Sequence, residues 1–353
     1  MSNRRALWVV NHQTLMAAEV PILRSLGWEV YVPKIIPHNN PEYRSGGVTY
    51  EYDAALQLHP AALAILNQHD FYHQAWSATV TEILNKNFDV LIAGFSYYTL
   101  VLSEAAKKFN GLICARAFGR EYPRTYADFD QYGMMPGVLA ELDRLGSRFV
   151  FAQGYENLAE IEPEALQRHA QTVGIPLPKQ IFHYEGIWKG GGENAIFLCP
   201  SITTSAFYQE IYKGIKESFS YLPHIIFGKQ SGNVNDPCVL PYLSDSELVE
   251  LYENAPVFVY PHTEPRHVHY SPLEAMVVGT PVLYLKDALI DRLSGNADVP
   301  GRCDGVEEMQ EKAMRLVRGD KLLAERIRSN QSRVIDRFSI DRAKKQWLSI
   351  LTR

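Results

Sequence analysis

Residues 263–285 read TEPRHVHYSPLEAMVVGTPVLYL. A loop rich in basic and imidazole side chains runs into SPLEAMVVG, whose apolar spacing is helical, and then into the apolar strand TPVLYL. Pro272 suits an early helical position and Gly279 suits a helix-to-strand turn, so loop, helix and buried strand are predicted in succession. A helix that begins at Pro272 turns free N–H groups and the positive end of its dipole toward the loop before it. That setting binds a diphosphate.

The same alternation extends outward. AIFLCPS (195–201), YQEIYKGIKESFSYL (208–222), HIIFGKQ (224–230), CVLPYL (238–243), SDSELVELYENA (244–255) and PVFVYPH (256–262) form a strand and helix series ahead of the quoted stretch. Another series occupies the first half: ALWVVNH, TLMAAEVPILRSLG, WEVYVPKII, FDVLIAGF, YYTLVLSEAAKKFN, GLICARAFG and SRFVFAQG. Such alternation predicts parallel sheets covered by helices, an α/β class. EGIWKGGGEN (185–194) is the best linker by glycine content. The expected organisation is an acceptor domain over 1–185, a hinge over 186–194, a second Rossmann-like domain over 195–335 and a closing helix over 336–353. Residues 39–73, with weak periodicity, read as loops and short helices.

The chain has 353 residues, 46% hydrophobic and 21% charged, which suits two globular cores. A net charge of -5 disfavours nonspecific nucleic-acid binding, so no nucleic-acid partner is expected. The four cysteines, Cys114, Cys199, Cys238 and Cys303, show no zinc spacing and read as thiols of a reducing cytoplasm. MSNRRALWVVNHQ reads as a first strand rather than a signal peptide, and no run reaches the length of a membrane span. A cytoplasmic protein with at most peripheral membrane association is expected.

VLPYLSDSELVELYENAPVFVYPHTE (239–264) followed by SPLEAMVVGTPVLYLKDALIDRLSG (271–295) resembles the donor-binding half of the retaining group 1 family of GT-B glycosyltransferases. RVIDRFSIDRAKKQWLSIL (333–351) resembles that family's C-terminal helices. The resemblance implies two Rossmann-like domains facing across a cleft, with the last helix returning to the N-terminal domain. It also implies a nucleotide-sugar donor bound by Ser271, Pro272, Leu273 and Glu274, with Glu274 on the ribose hydroxyls. The acceptor would be a saccharide or lipid-linked saccharide, and no metal or other cofactor is expected.

The sequence departs from the family pattern at two places. Eight positions before Glu274 the family has a glutamate where this chain has Arg266, and the nearest acid is Glu264. Arg266, His267 and His269 can instead neutralise phosphate. The family's arginine after the first strand of this half is missing; Lys213 survives in KG, and Lys229 is the candidate replacement. Tyr242 stands where an aromatic face can stack on a nucleobase. In the first half, Glu121 and His12 follow strands and are candidates for orienting or deprotonating an acceptor hydroxyl. Asp128 to Asp130 (DFD) is an accidental metal-motif match. The function expected is retaining, metal-independent sugar transfer in bacterial surface polysaccharide synthesis, against a nucleotide-sugar epimerase or a non-catalytic binding protein of the same fold.

Overall fold

The computed structural model describes residues 4–10, 12–34, 56–95, 100–128, 137–295 and 297–352. Asp130 and residues 39–55 of the weakly periodic region lie outside the described residues. The chain forms two compact units, Met1–Pro176 with Ile340–Arg353 and Leu177–Ser339. These divisions differ from the expected bounds at 185, 195 and 335.

Among the described residues the first unit is built on six parallel strands: β1 (Arg5–Val9), β2 (Glu29–Tyr31), β3 (Val90–Gly94), β4 (Leu112–Ala117), β5 (Phe149–Gln153) and β6 (Ala170–Thr172), in the order β2-β1-β3-β4-β5-β6. VLIAG of β3 and FVFAQ of β5 are buried throughout, as expected of strands covered on both faces. The helix Gln13–Ser25 carries the chain from β1 to β2 and ends at Gly27, whose φ of 83° only glycine adopts freely.

The second unit contains β7 (Ala195–Leu198), β8 (His224–Phe227), β9 (Phe258–Tyr260), β10 (Val282–Leu285) and β11 (Arg302–Cys303), parallel and ordered β11-β10-β9-β7-β8. One layer of its core packs Tyr208, Ile215 and Phe219 of the helix Ala206–Phe219 with Met309, Ala313 and Leu316 of the helix Val306–Val317. The helix Asp245–Asn254 starts in a capping box, with Ser244 and Glu247 each binding the other's backbone. It packs against the helix Tyr270–Val278.

The glycine-rich segment expected to be a hinge is fastened along its length to the second unit. Gly186 and Trp188 donate their N–H groups to Val277 and Val278 at 3.0 and 3.1 Å, and Lys189 and Gly192 donate to Glu253 and Asn254, each at 2.8 Å. The Trp188 indole donates to the Ala255 carbonyl at 2.7 Å, and the Arg328 guanidinium lies 4.6 Å from its ring. Glycine content suggested slack, but the tryptophan anchors the strap.

Inside the first unit, Arg116 on β4 and Glu19 on the helix Gln13–Ser25 pair at 2.6 Å with neither side chain exposed. Arg116 also donates to the Ala152 carbonyl at 3.0 Å, and its guanidinium lies 6.0 Å from the Trp347 ring. Burial pushes the Glu19 carboxyl up, opposed by the charge and hydrogen bonds of Arg116. Trp347 belongs to the helix Ile340–Leu351, which packs on the helix Gln13–Ser25 within this unit, as the resemblance implied for the closing helix. Because removing one partner leaves a buried charge alone, Arg116→Leu is expected to lose about 3–5 kcal/mol in denaturant unfolding. The double variant Glu19→Leu/Arg116→Leu should recover most of that loss, and equal losses in both variants would contradict the pairing.

Candidate functional site

In a parallel α/β sheet the crossovers are right-handed, so helices that follow strands advancing in opposite directions lie on opposite faces. The second sheet reverses between β7 and β9: β7 leads toward β8, whereas β9 leads toward β10 and β11. The loops after β7 and β9 therefore part to either side. The crevice between them is the switch point where such sheets hold ligands. The first sheet reverses between β1 and β3.

The loop after β7, residues 199–205, is clasped to the loop after β8. Gln230 donates its amide to the Cys199 and Gly228 carbonyls at 2.8 and 3.0 Å and accepts from Ile202 N–H at 2.9 Å. Ser201 donates to the Lys229 carbonyl at 2.9 Å. Two features of this clasp demand unusual backbone. Ser201 sits at φ 52°, and Gly228, at φ 130°, leaves only 2.9 Å between the Pro200 nitrogen and any Cβ it would carry. The exposed Lys229 side chain is thus carried on a fixed strand end.

The loop after β9 brings Glu264, Arg266 and His267 together. Its first part is tied inward: the Glu264 carboxylate accepts Arg266 N–H at 3.2 Å, and the Glu264 carbonyl accepts Leu289 N–H at 2.9 Å. Glu264 and Arg266 are both buried, and His267 is half-buried. His262 stacks on Tyr260 at 4.2 Å and lies 3.3 Å from the Leu198 carbonyl. Burial pushes its pKa down to about 4, opposed by the Leu198 hydrogen bond and aided by neighbouring His267, so it is neutral near pH 7. His269 is held between two tyrosines, with Nδ1 2.8 Å from the Tyr260 hydroxyl and Nε2 2.8 Å from that of Tyr208.

The helix Tyr270–Val278 starts in this loop, two residues before the Pro272 start expected from the sequence, and ends, as expected, at Gly279 with φ 99°. Pro272 and Leu273 of its first turn are buried, and Ser271 is half-buried. Glu274 faces Tyr252 and Asp245 of the neighbouring helix. Burial, reinforced by the charge of Asp245 and opposed by the nearby Tyr252 hydroxyl, pushes its pKa up to about 7.

The other sequence candidates lie on other elements. Lys213 lies midway along the helix Ala206–Phe219, exposed and 4.0 Å from Glu217, about two turns from the helix start. Tyr242 is 59% exposed in the loop before Ser244. In the first unit, His12 caps the helix Gln13–Ser25 by accepting Leu15 N–H at Nδ1, 3.3 Å away, with its ring 5.0 Å from Phe118. An accepting Nδ1 leaves the proton on Nε2, making neutral His12 a donor rather than a base. Glu121 is half-buried in the loop after β4. Asp128 accepts from Thr125 N–H and Oγ1 and lies 3.7 Å from Arg120, which gives this carboxylate a turn-forming role.

Sequence reading missed His262, Tyr208, Tyr260 and Gln230. The alternation of aromatic and imidazole residues through 260–269 was the available signal for His262 and Tyr260; nothing in the sequence pattern pointed to Tyr208 or Gln230. Among the described residues no three His, Cys, Asp or Glu side chains gather in a way that holds a metal ion. A hollow of about 290 Å³ lies elsewhere in this unit, between the helix Asp245–Asn254, Ile196, Ile225 and the strap at Gly192 to Asn194. None of its lining residues belongs to the switch-point loops. Among the described residues no helix is long and apolar enough to cross a membrane.

No protein-family model matches the sequence, and no curated protein matches it. Solved structures do match in three dimensions. A glycosyltransferase from Rickettsia africae ESF-5 superposes with a TM-score of 0.60 at 14% identity, covering 99% of this chain and 98% of that one. Sucrose-phosphate synthase from Thermosynechococcus elongatus gives 0.58 at 10% identity over 98% of each chain. A TarM variant from S. aureus, in complex with fondaparinux, alpha-GlcNAc-glycerol and UDP, gives 0.53 at 14% identity over 78% of this chain and 59% of that one. At such identities the likeness establishes the fold, two Rossmann-like domains of the GT-B type.

The environment of Glu274 makes a pH prediction. Its folded pKa of about 7 lies above the ordinary 4.5, so the folded chain binds this proton more tightly than the unfolded chain. The stability it contributes is complete below pH 4.5 and is lost as pH rises through about 7. Glu274→Gln should therefore match the wild-type melting temperature near pH 5 and exceed it at pH 8. Parallel melting-temperature profiles for the two proteins would refute the shift.

Proposed function

We propose that the chain is a glycosyltransferase that moves a sugar from a nucleotide-sugar donor to a hydroxyl of a saccharide or lipid-linked saccharide acceptor. The observation that carries this reading is the switch-point crevice of the second unit. Lys229, Arg266 and His267 stand in the loops at these strand ends, and the start of the helix Tyr270–Val278 adjoins with Glu274 one turn in. The fold it shares with solved glycosyltransferases supports the same class of reaction.

In this reading the donor diphosphate lies at the helix start, where the positive end of the dipole favours an anion. Glu274 accepts the ribose hydroxyls, and Tyr242 offers a face to the base. When the bond from the anomeric carbon to the phosphate oxygen breaks, its electron pair stays on that oxygen. A fixed cation therefore stabilises the transition state more than the bound donor. Lys229 and His267 supply that charge, while buried Arg266 also holds the loop's shape. Glu264, hydrogen-bonded to the backbone, shapes the same loop. In the first unit Glu121 is the carboxylate for an acceptor proton, and His12 donates through Nε2. The transfer retains anomeric configuration and uses no metal, and its setting is the cytoplasmic synthesis of a bacterial surface polysaccharide.

The reading is tested by incubating the chain with a panel of nucleotide sugars and saccharide acceptors and measuring nucleoside diphosphate release and glycosylated product. Donor consumed without acceptor, giving an isomeric nucleotide sugar, would replace transfer by epimerisation. Lys229→Ala is expected to lower kcat on the order of 100-fold with an unchanged melting temperature, because its side chain is exposed and its carbonyl supplies the structural contact. A near-wild-type rate would remove Lys229 from the chemistry. Activity should persist in excess chelator, and its loss with recovery on adding magnesium would overturn metal independence.

A further inference from the structure

The hydrogen bond between Tyr208 and His269 joins the two sides of the switch point. Tyr208 lies in the first turn of the helix Ala206–Phe219, which follows β7. His269 is the cap residue of the helix Tyr270–Val278, which follows β9. The strands are neighbours, but their helices lie on opposite faces of the sheet, so this hydrogen bond joins two segments that leave the sheet in opposite directions. Tyr260, at the end of β9, completes a chain of three side chains running from β9 through the imidazole to the helix after β7.

An arrangement of protons that satisfies all three contacts runs along this chain. The Tyr260 hydroxyl lies 3.4 Å from the His269 backbone N–H, which has only a proton to give, so it accepts there. In that arrangement its own proton goes to Nδ1 of the same residue at 2.8 Å. With Nδ1 accepting, the imidazole proton sits on Nε2 and is donated to the Tyr208 hydroxyl at 2.8 Å. The rings of His262 and His267, 5.0 and 4.8 Å away, crowd the same imidazole and restrict its rotation.

We propose that His269 is a positioning residue for the donor diphosphate: as a neutral Nε2–H tautomer held between Tyr260 and Tyr208, it locks the two helix starts at the spacing that a diphosphate spans. This role rests on the donor site proposed above. It concerns the diphosphate alone, and the nucleoside is held by other groups, Glu274 and Tyr242.

The test measures binding of UDP, GDP and ADP, and of the matching nucleosides, by calorimetry on the full chain and on His269→Phe, Tyr208→Phe and Tyr260→Phe. His269→Phe should weaken the diphosphate that binds by about tenfold, and each tyrosine variant by roughly three- to fivefold, within the range for one neutral hydrogen bond. Nucleoside affinity should stay within twofold, an unevenness that general loosening of the fold would not produce. Long-range proton–nitrogen NMR of the histidine rings, with the His269 signals assigned by their loss in His269→Phe, should show Nε2 protonated and Nδ1 bare. The milder Tyr208→Phe keeps the test open if His269→Phe fails to fold. Diphosphate affinity within twofold of wild type in all folded variants overturns the positioning role alone, as does an Nδ1–H tautomer. Failure of all three diphosphates to bind the wild-type chain overturns the donor reading itself, and the positioning role with it.

Discussion

Parallel pairing is the constraint on which the rest of the molecule depends. A strand can lie parallel to its neighbour only if the chain returns over the sheet, so every loop that leaves a strand's C-terminal end emerges on the same edge. Once the order of strands reverses, two of those loops must diverge. In the second unit this places the loops after β7 and β9 around one crevice, with no need for the two segments to be close in sequence. The basic and imidazole side chains of residues 262–269 are therefore gathered by topology, and the local hydrogen bonds only refine their positions.

That refinement is unusually complete for loops. Gln230 satisfies carbonyls on two strand ends at once, Glu264 turns its carboxylate onto its own backbone, and His262 stays neutral because it is buried beneath Tyr260. Ser201 is held in a left-handed conformation that costs a non-glycine residue on the order of 1 kcal/mol, a strain that the clasp around it offsets. Glu274 faces a nearby carboxylate and a low-dielectric surrounding, both of which disfavour its charge. A polar ligand that donates hydrogen bonds to it would relieve that mismatch.

Much of this was legible from residue patterns. Continuous apolar runs such as VLIAG and VLYL announce strands covered on both faces, and the proline and glycine of SPLEAMVVG mark where the helix begins and ends. The strap was misjudged because glycine content reports what a backbone can do, whereas Trp188 and its partners decide what it does. Lys213 followed a motif spacing, but helix geometry carries it along the axis, away from the strand ends. The link from Tyr208 to His269 joins residues 61 positions apart, a separation at which periodicity carries no signal. His12 looked chemically active because it follows a strand, yet one of its nitrogens serves the backbone of the next helix.

The buried pair of Glu19 and Arg116 also bears on the order of events during synthesis. Trp347, which covers that pair, lies more than two hundred positions beyond Arg116, and the whole of the second unit is made in between. On the ribosome, the first sheet is exposed long before the helix Ile340–Leu351 emerges to cover the helix Gln13–Ser25. Domains that are contiguous in sequence can close as they appear. Here the earlier unit reaches its final packing after the later one is already complete, so the nascent chain carries a partly uncovered ion pair until synthesis has passed residue 351. Translation speed through the second half therefore sets how long that face stays open to other chains.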